Sequence, residues 1–431
     1  MNKLTAGILI GVGAAGIATA AYVPVKVGDT VQQQIELAVA SINAKQGSSG
    51  IEIQLEDYQK NAYDSTLVTR FIFKDPALSR ADGTAPFVDI RHDISHGLTN
   101  AEFKSEIVVT DEMKESLENF DGKVPLHFDG EISQSKSVLN TYIEGFTITP
   151  SENATVRMKP GIIRLNFNTD QQAYDMNGIW NGMEVNADNN VVIIGETNIK
   201  GKGERYTDLL WTYTNTINIS KLNLNGDKVE ISSSSLNFKD NLSIQQQDAA
   251  PETIHYSGDW SLDKLHLAQY GQTLYDFEPS GFSYSLTGPT VKQVESLMEV
   301  AQNYDPSQMT PEDAEKILPV FADAVNAAEF SLHDVNVVTT EGRINGDMVV
   351  SLDTDQEELI KALSFPPMLA QYVKMESNAA INKSLFNSMP VFAMMAMQLN
   401  QMGAYRDDEE DMLIHALMQN GQMMINDVPM R

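Results

Sequence analysis

The sequence predicts an α+β protein that is mostly β: a single N-terminal membrane helix, then a long antiparallel β-meander with a helical insertion and a helical C-terminal part. Three observations predict it. From Ile51 to about Thr287 apolar residues alternate with polar ones, the period of half-buried strands. Turn dipeptides such as Asn225-Gly226 separate the alternating runs. Near Thr290 the spacing changes to the three-and-four pattern of an amphipathic helix.

The first element is the uncharged stretch Leu4–Val25, flanked by Lys3 and Lys26. As a helix, Leu4 to Val23 would reach roughly 30 Å, enough to cross a bilayer core. Lys3 on the short side predicts an N-in, C-out orientation. Ala18-Thr19-Ala20 before Ala21 also fits a signal-peptide cleavage site, whereas the apolar run continues through Tyr22 and Val23 as an anchor would. Gly7, Gly11, Ala15 and Thr19 recur every four residues and form a candidate helix-pairing face, as in membrane homodimers. Small residues are also common in signal peptides, so the stripe has a bland explanation too.

Residues 1–28 thus form the signal or anchor, and 29–50 an amphipathic helix and linker. In the latter, Val31, Ile35, Val39 and Ile42 share one face before Gly47-Ser48-Ser49-Gly50. Segment 51–289 is the β-rich meander, in which Ile217, Ile219, Leu222 and Leu224 lead through Asn225-Gly226 to Val229 and Ile231. Asp82-Gly83, Asp121-Gly122 and Asp129-Gly130 read as further turns. Segment 290–328 is the helical insertion. Its first helix aligns Val291, Val294, Leu297, Met298 and Ala301, and its second opens with Thr310, Pro311 and Asp313 as cap, first position and first-turn acid.

Segment 329–431 mixes strand and Met-rich helix. Strands run from Glu329 to Leu352, where Ile344-Asn345-Gly346-Asp347 echoes Leu224-Asn225-Gly226-Asp227. Thr354 and Glu357 read as a capping pair. A helix is expected over Ser384–Gln401, a second over Asp407–Gln419, and a closing strand over Gln422–Asn426 after Asn420-Gly421. One body with a helical insertion is expected, since no long linker interrupts the chain.

Composition removes several function classes. The net charge of −29 and the 59 acidic against 30 basic side chains oppose nucleic-acid binding, which needs a basic face. The absence of cysteine excludes disulfides, thiolate nucleophiles and Cys–metal sites. Of the seven histidines only His92 and His96 are close; in a strand they would stand roughly 13 Å apart, too far for one ion. Asp407-Asp408-Glu409-Glu410-Asp411 lacks calcium-loop spacing and fits an acidic helix start, Asp407 capping with Glu410 three residues on. No nucleophile elbow, phosphate loop or dinucleotide fingerprint occurs. No catalytic residue, metal ligand or cofactor is therefore assigned. Met389, Met394, Met395, Met397 and Met402 fit either a packed core helix or an adaptable apolar surface.

Four places resemble the YdgA-like family of Gram-negative envelope proteins. They are the basic start with its apolar segment and following helix; Tyr58-Gln59-Lys60-Asn61-Ala62-Tyr63-Asp64-Ser65; His96-Gly97; and Asn420-Gly421-Gln422 with Asn426 and Met430. Asn61 stands where that family prefers Gly and is expected to accept a left-handed turn conformation, while Lys60 lacks an arginine's fork. The resemblance implies a single-pass inner-membrane protein with its bulk in the periplasm, and brings no catalytic residues.

The expected function is non-enzymatic: a body tethered to the bilayer through residues 4–23, handling a lipid or another apolar client. A structural protein acting as a homo-oligomer and an envelope hydrolase are the alternatives.

Overall fold

Alternation of period two becomes strand over most of the chain. The structure, a computed structural model, describes Val39, Asn43 and residues 51–430 apart from 62, 75–84, 98, 112–113, 115–116, 118–123, 134, 152, 227, 247–249, 304–309 and 365. The stretch Leu4–Val25, the face Gly7, Gly11, Ala15 and Thr19, and the turns Asp82-Gly83 and Asp121-Gly122 lie outside the described residues. Among the described residues no helix is long and apolar enough to cross a membrane. The chain divides into two compact units, Met1–Asp208 and Leu209–Arg431.

The first unit carries β1 (Ile51–Lys60), β2 (Asp64–Phe73), β3 (Phe87–His96), β4 (Asn100–Ile107), β5 (Leu126–Ser133) and β6 (Lys136–Ile143). These six pair in succession, each antiparallel to the last. Then come β7 (Phe146–Ser151), β8 (Ala154–Met158), β9 (Gly161–Asn168), β10 (Ala173–Trp180), β11 (Met183–Ala187), β12 (Asn190–Ile194) and β13 (Thr197–Arg205). Here the meander nests: β6 pairs with β9, β9 with β10 and β10 with β13. Strands β7, β8, β11 and β12 form a second ribbon beyond a bend. Glycine or proline marks every crossing of that bend: Gly145, Pro160, Gly182 and Gly195. Gly182 has φ +99, and a side chain there would strike the Ile194 carbonyl oxygen, so the corner needs glycine.

The core of this unit follows from the alternation. Leu67, Phe71 and Phe73 of β2 share a buried cluster with Ile53, Val88, Ile90, Phe128, Leu139 and Leu165. Each large side chain removed from water contributes about 2–3 kcal/mol. Val39, expected on the apolar face of the 29–50 helix, is helical and packs into this cluster. Asn43, four residues on, clasps the edge strand: its amide donates to the Ile53 carbonyl at 2.7 Å and accepts from the Ile53 N–H at 2.8 Å. Asp129-Gly130 is not a turn but lies inside β5. A side chain at Gly130 would collide with the Val138 carbonyl oxygen and the Phe103 ring, so this glycine permits close strand approach.

The second unit opens with β14 (Trp211–Asn225) and β15 (Val229–Gln245), the expected hairpin at Asn225-Gly226. It continues through β16 (Thr253–Leu262), β17 (Lys264–Gln269), β18 (Gln272–Phe277) and β19 (Ser280–Thr290). Next are the helices α1 (Val291–Asn303) and α2 (Pro311–Asn326) of the insertion. The Thr310 capping box is formed as expected, with Asp313 its reciprocal partner. Then follow β20 (Glu329–Val338), β21 (Arg343–Leu352), α3 (Gln356–Ser364), β22 (Val373–Asn382), α4 (Leu385–Ser388), α5 (Pro390–Gln401), β23 (Arg406–Asp407), β24 (Asp411–Gln419), β25 (Gln422–Ile425) and β26 (Val428–Pro429). The sheet runs β14, β15, β16, β19, β20, β21, β22, β24, β25, with β17 and β18 as a hairpin continuing along the first half of β15.

Three local expectations are corrected, and the Asn-Gly echo resolves into two different roles. Asp407–Gln419 is not a helix: β24 pairs along its length with β22, and pairing of Ile381 with Met412 in a buried cluster outweighs the helix propensity of Met, Leu and Ala. Asp407 is accordingly no cap; Asp408 instead accepts from the N–H groups of Glu410 and Asp411 in the turn before the strand. Helix α3 is capped by Asp355, which accepts from the Glu358 N–H at 2.9 Å, one residue after the expected Thr354. Asn345-Gly346 sits within β21, where Gly346 passes close to the Asn378 carbonyl, while Asn225-Gly226 does turn.

Candidate functional site: an aromatic row on the second sheet

Directly opposed residues of antiparallel strands share a face, so the pairings can be followed across the second unit. Ile217 of β14 opposes Phe238 of β15, which opposes Trp260 of β16, which opposes Phe282 of β19. On the same face Tyr213, Leu242, Tyr256, Leu286, Phe330, Val350, Met375 and Met418 form a second line across eight strands. The other face carries Thr214, Thr216 and Asn218, then Asn237, Lys239 and Asn241, then Ser257 and Asp259. The sheet is amphipathic, and one face demands a cover.

Among the described residues that cover is partial. Helix α1 packs Val291, Val294 and Met298 against Leu210, Leu242, Ile244 and Ile254. At the far edge α4 and α5 place Leu385, Ala396 and Leu399 on Ile344, Ile381 and Met412. Elsewhere apolar side chains stay accessible: Ile217 is 38% exposed, Phe238 40% and Leu286 37%. The rings between them are ordered against one another. Phe238 meets Trp260 edge-on at 6.5 Å, Trp260 stacks on Phe282 at 5.4 Å, and Phe282 leads to Tyr284 at 6.4 Å. Tyr256 lies 5.8 Å from Tyr284 between ring centroids, and their hydroxyls are 3.4 Å apart. That hydroxyl contact, with burial second, pushes the Tyr284 phenol up to about 12, so Tyr284 stays neutral near neutral pH. An uncharged aromatic lane of this kind presents surface that can hold alkyl or ring groups by dispersion and water release.

The methionine helix divides between the two alternatives posed for it. In α5, Met395, Ala396 and Leu399 pack inward, whereas Val391, Met394 and Met397 point outward, 63%, 57% and 56% exposed. The polar side of the second sheet holds a cleft of about 770 Å3 lined by His333, Asp347, Asn378, Arg406 and His415 among others. There Asn378 donates to Asp347 at 3.0 Å and Arg406 pairs with Asp427 at 2.7 Å.

His92 and His96 lie in β3, as the extended reading requires, and each engages hydroxyls. His92 bridges Ser105 at 2.7 Å and Thr69 at 3.1 Å, and desolvation pushes its imidazole down to about 4 against the opposing charge of Asp93. His96 Nε2 lies 3.0 Å from the Ser65 hydroxyl, and the backbone N–H of His96 donates to the Tyr63 carbonyl. Two stretches that carry the YdgA-like resemblance, Tyr58–Ser65 and His96-Gly97, thus meet at one end of the β2–β3 pair. Asn61 does not adopt a left-handed conformation; its side chain instead donates to Asp64 at 2.6 Å and holds the turn through that bond. The third stretch closes the chain: Asn420 and Gly421 have φ +54 and +71, and buried Asn426 binds three backbone groups.

The aromatic row was not singled out from sequence. The signal was present as Ile217, Phe238, Trp260 and Phe282 at inward parity, yet the partner of each strand is set by the fold.

A family model described as a bacterial protein of unknown function, DUF945, matches residues 1–431. No curated protein and no solved structure matches the chain.

Proposed function

The chain belongs to the DUF945 family of bacterial proteins of unknown function, and from that premise we propose a non-catalytic envelope protein whose second unit seats an acyl chain or similarly apolar client. The carrying observation is the row Ile217–Phe238–Trp260–Phe282, ordered ring against ring and left open between two helical covers. Monomeric proteins bury such a continuous apolar face unless something else covers it. The uncharged stretch Leu4–Val25 supports a bilayer address, and the YdgA-like resemblance supports an inner-membrane, periplasm-facing setting. A client drawn from that bilayer is apolar by nature.

Native mass spectrometry of the full chain, purified in a mild detergent, tests this. A co-purifying lipid or fatty acyl species is expected, and its occupancy falls when Phe238 and Trp260 are both replaced by serine. A wild-type protein that carries no such species refutes the proposal.

Helix α5 favours a second reading, an interaction protein of the envelope. Val391, Met394 and Met397 present adaptable apolar surface, and Gly7, Gly11, Ala15 and Thr19 would pair two anchors.

A further inference from the structure

The apolar row does not run to the end of its strands. Counting by twos along β14 from Ile217 and Ile219 reaches Lys221 and Asn223; along β15 from Phe238 and Leu236 it reaches Ser234 and Ser232. The register is kept across this change, with Ile219 opposite Leu236 and Lys221 opposite Ser234. At the switch Ser235 adopts φ +51, and β16 gives way to β17 alongside. On β17 Lys264 opposes Ser234 and His266 opposes Ser232, and on β18 Asp276 opposes His266. One face therefore passes from rings to cations and hydroxyls within two residues on each strand.

These residues line a cleft of about 630 Å3, together with Ser233, Phe277, Glu278 and Thr340. Within it the Asn223 amide oxygen accepts from Lys221 Nζ at 3.3 Å. Asp276 is committed to His266, Oδ1 to Nδ1 at 2.5 Å. Neither Lys221 nor Lys264 has an ion-pair partner among the described residues, although the protein holds about two acidic groups for each basic one. Among the described lining residues, two ammonium groups and an Asp-held imidazole stand with Glu278 as the one carboxylate without an ion-pair partner, an arrangement that favours an anion in a chain of net charge −29.

We infer that this cleft binds the phosphate-class anionic head of an amphiphile whose chain lies along Phe238, Trp260 and Phe282. The inference rests on the reading of that row as an acyl seat, and adds the class of the head group. Lysines 221 and 264 supply the charge, and the His266–Asp276 pair presents the imidazole Nε2 to an oxygen. Ser232, Ser234 and Asn223 complete the polar lining. The volume is ample for a head group of glycerol-phosphate size.

The test uses the full chain held in an amphipathic polymer and three probes: monododecyl phosphate, monododecyl glycerol with the same chain and a neutral head, and glycerol phosphate with no chain. Monododecyl phosphate is expected to bind about tenfold or more tightly than monododecyl glycerol, as two charge-assisted contacts would give. Lys221→Gln with Lys264→Gln should abolish the preference and leave the affinity for monododecyl glycerol unchanged. Equal binding of the two amphiphiles by the wild type overturns the inference while the acyl seat stands. Binding of neither overturns both. Glycerol phosphate binding as tightly as monododecyl phosphate assigns the cleft to a free phosphate compound and overturns the head-group assignment.

Discussion

His92 occupies the inner side of β3 between two hydroxyls, and desolvation holds its folded-state pKa near 4, below the value of about 6.5 it has in an unfolded chain. Between those two values the unfolded state takes up a proton that the folded state refuses. Its contribution is therefore fully present above pH 6.5 and is lost as pH falls toward 4, by at most about 3 kcal/mol. Urea unfolding midpoints across this window should fall for the wild type, and His92→Asn should flatten the slope; parallel slopes would show that another group carries it. Asn426 is a second single-residue lock. Its side chain accepts from the His415 N–H at 2.7 Å and donates to the carbonyls of Ala404 at 2.7 Å and Leu413 at 2.9 Å. Asn426→Ala would leave these groups unpaired and place an ordinary side chain at φ +49, a loss of about 2–4 kcal/mol. Thermal denaturation would show it, and a change within experimental scatter would contradict the assignment. Neither role was legible beforehand: the sequence showed His92 and Asn426 as residues, and only strand pairing named their partners.

At the scale of elements, the agreement and the errors have one cause. The β14–β15 hairpin, α1, α2 and the α5 helix follow from spacing, turn dipeptides and caps, all of which act within a few residues. Segment 411–419 failed because its Met, Leu and Ala residues fit either period, and the deciding contact, β22, lies some thirty residues earlier. Asp129-Gly130 failed because a glycine needed for close approach looks the same in sequence as one needed for a turn. Helix α5 gives a prediction at this scale. Replacing Val391, Met394 and Met397 together by glutamine should leave the melting temperature unchanged, since all three face outward. Leu399→Ala, against a side chain that is 3% exposed, should cost about 2–4 kcal/mol. If the triple variant melts as early as Leu399→Ala, that outer face is packed in solution and the interaction reading falls.

For the whole molecule, the proposal depends on a tether and a carrier face being parts of one chain. The mature N-terminus tests the tether. An uncleaved anchor should leave Met1 or Asn2 as the first residue and keep the protein in membranes after a high-salt wash; a soluble protein beginning at Ala21 would show cleavage after Ala18-Thr19-Ala20. If the anchor also pairs, Gly7→Leu with Gly11→Leu should reduce cross-linked dimer, and an undiminished yield would remove that face. By itself the sequence determined the β-rich class, the helical insertion, the strand faces and the exclusion of cysteine chemistry, because these depend on composition and on neighbours a few residues apart. Tertiary structure alone decided the division between Asp208 and Leu209, the nested strand order and the alignment of Ile217, Phe238, Trp260 and Phe282 into one row. It alone placed Lys221, Lys264 and His266 at the end of that row. The physical reason is that alternation fixes which way a side chain points within its own strand, while the strand beside it is chosen by long-range pairing and packing that no local pattern encodes.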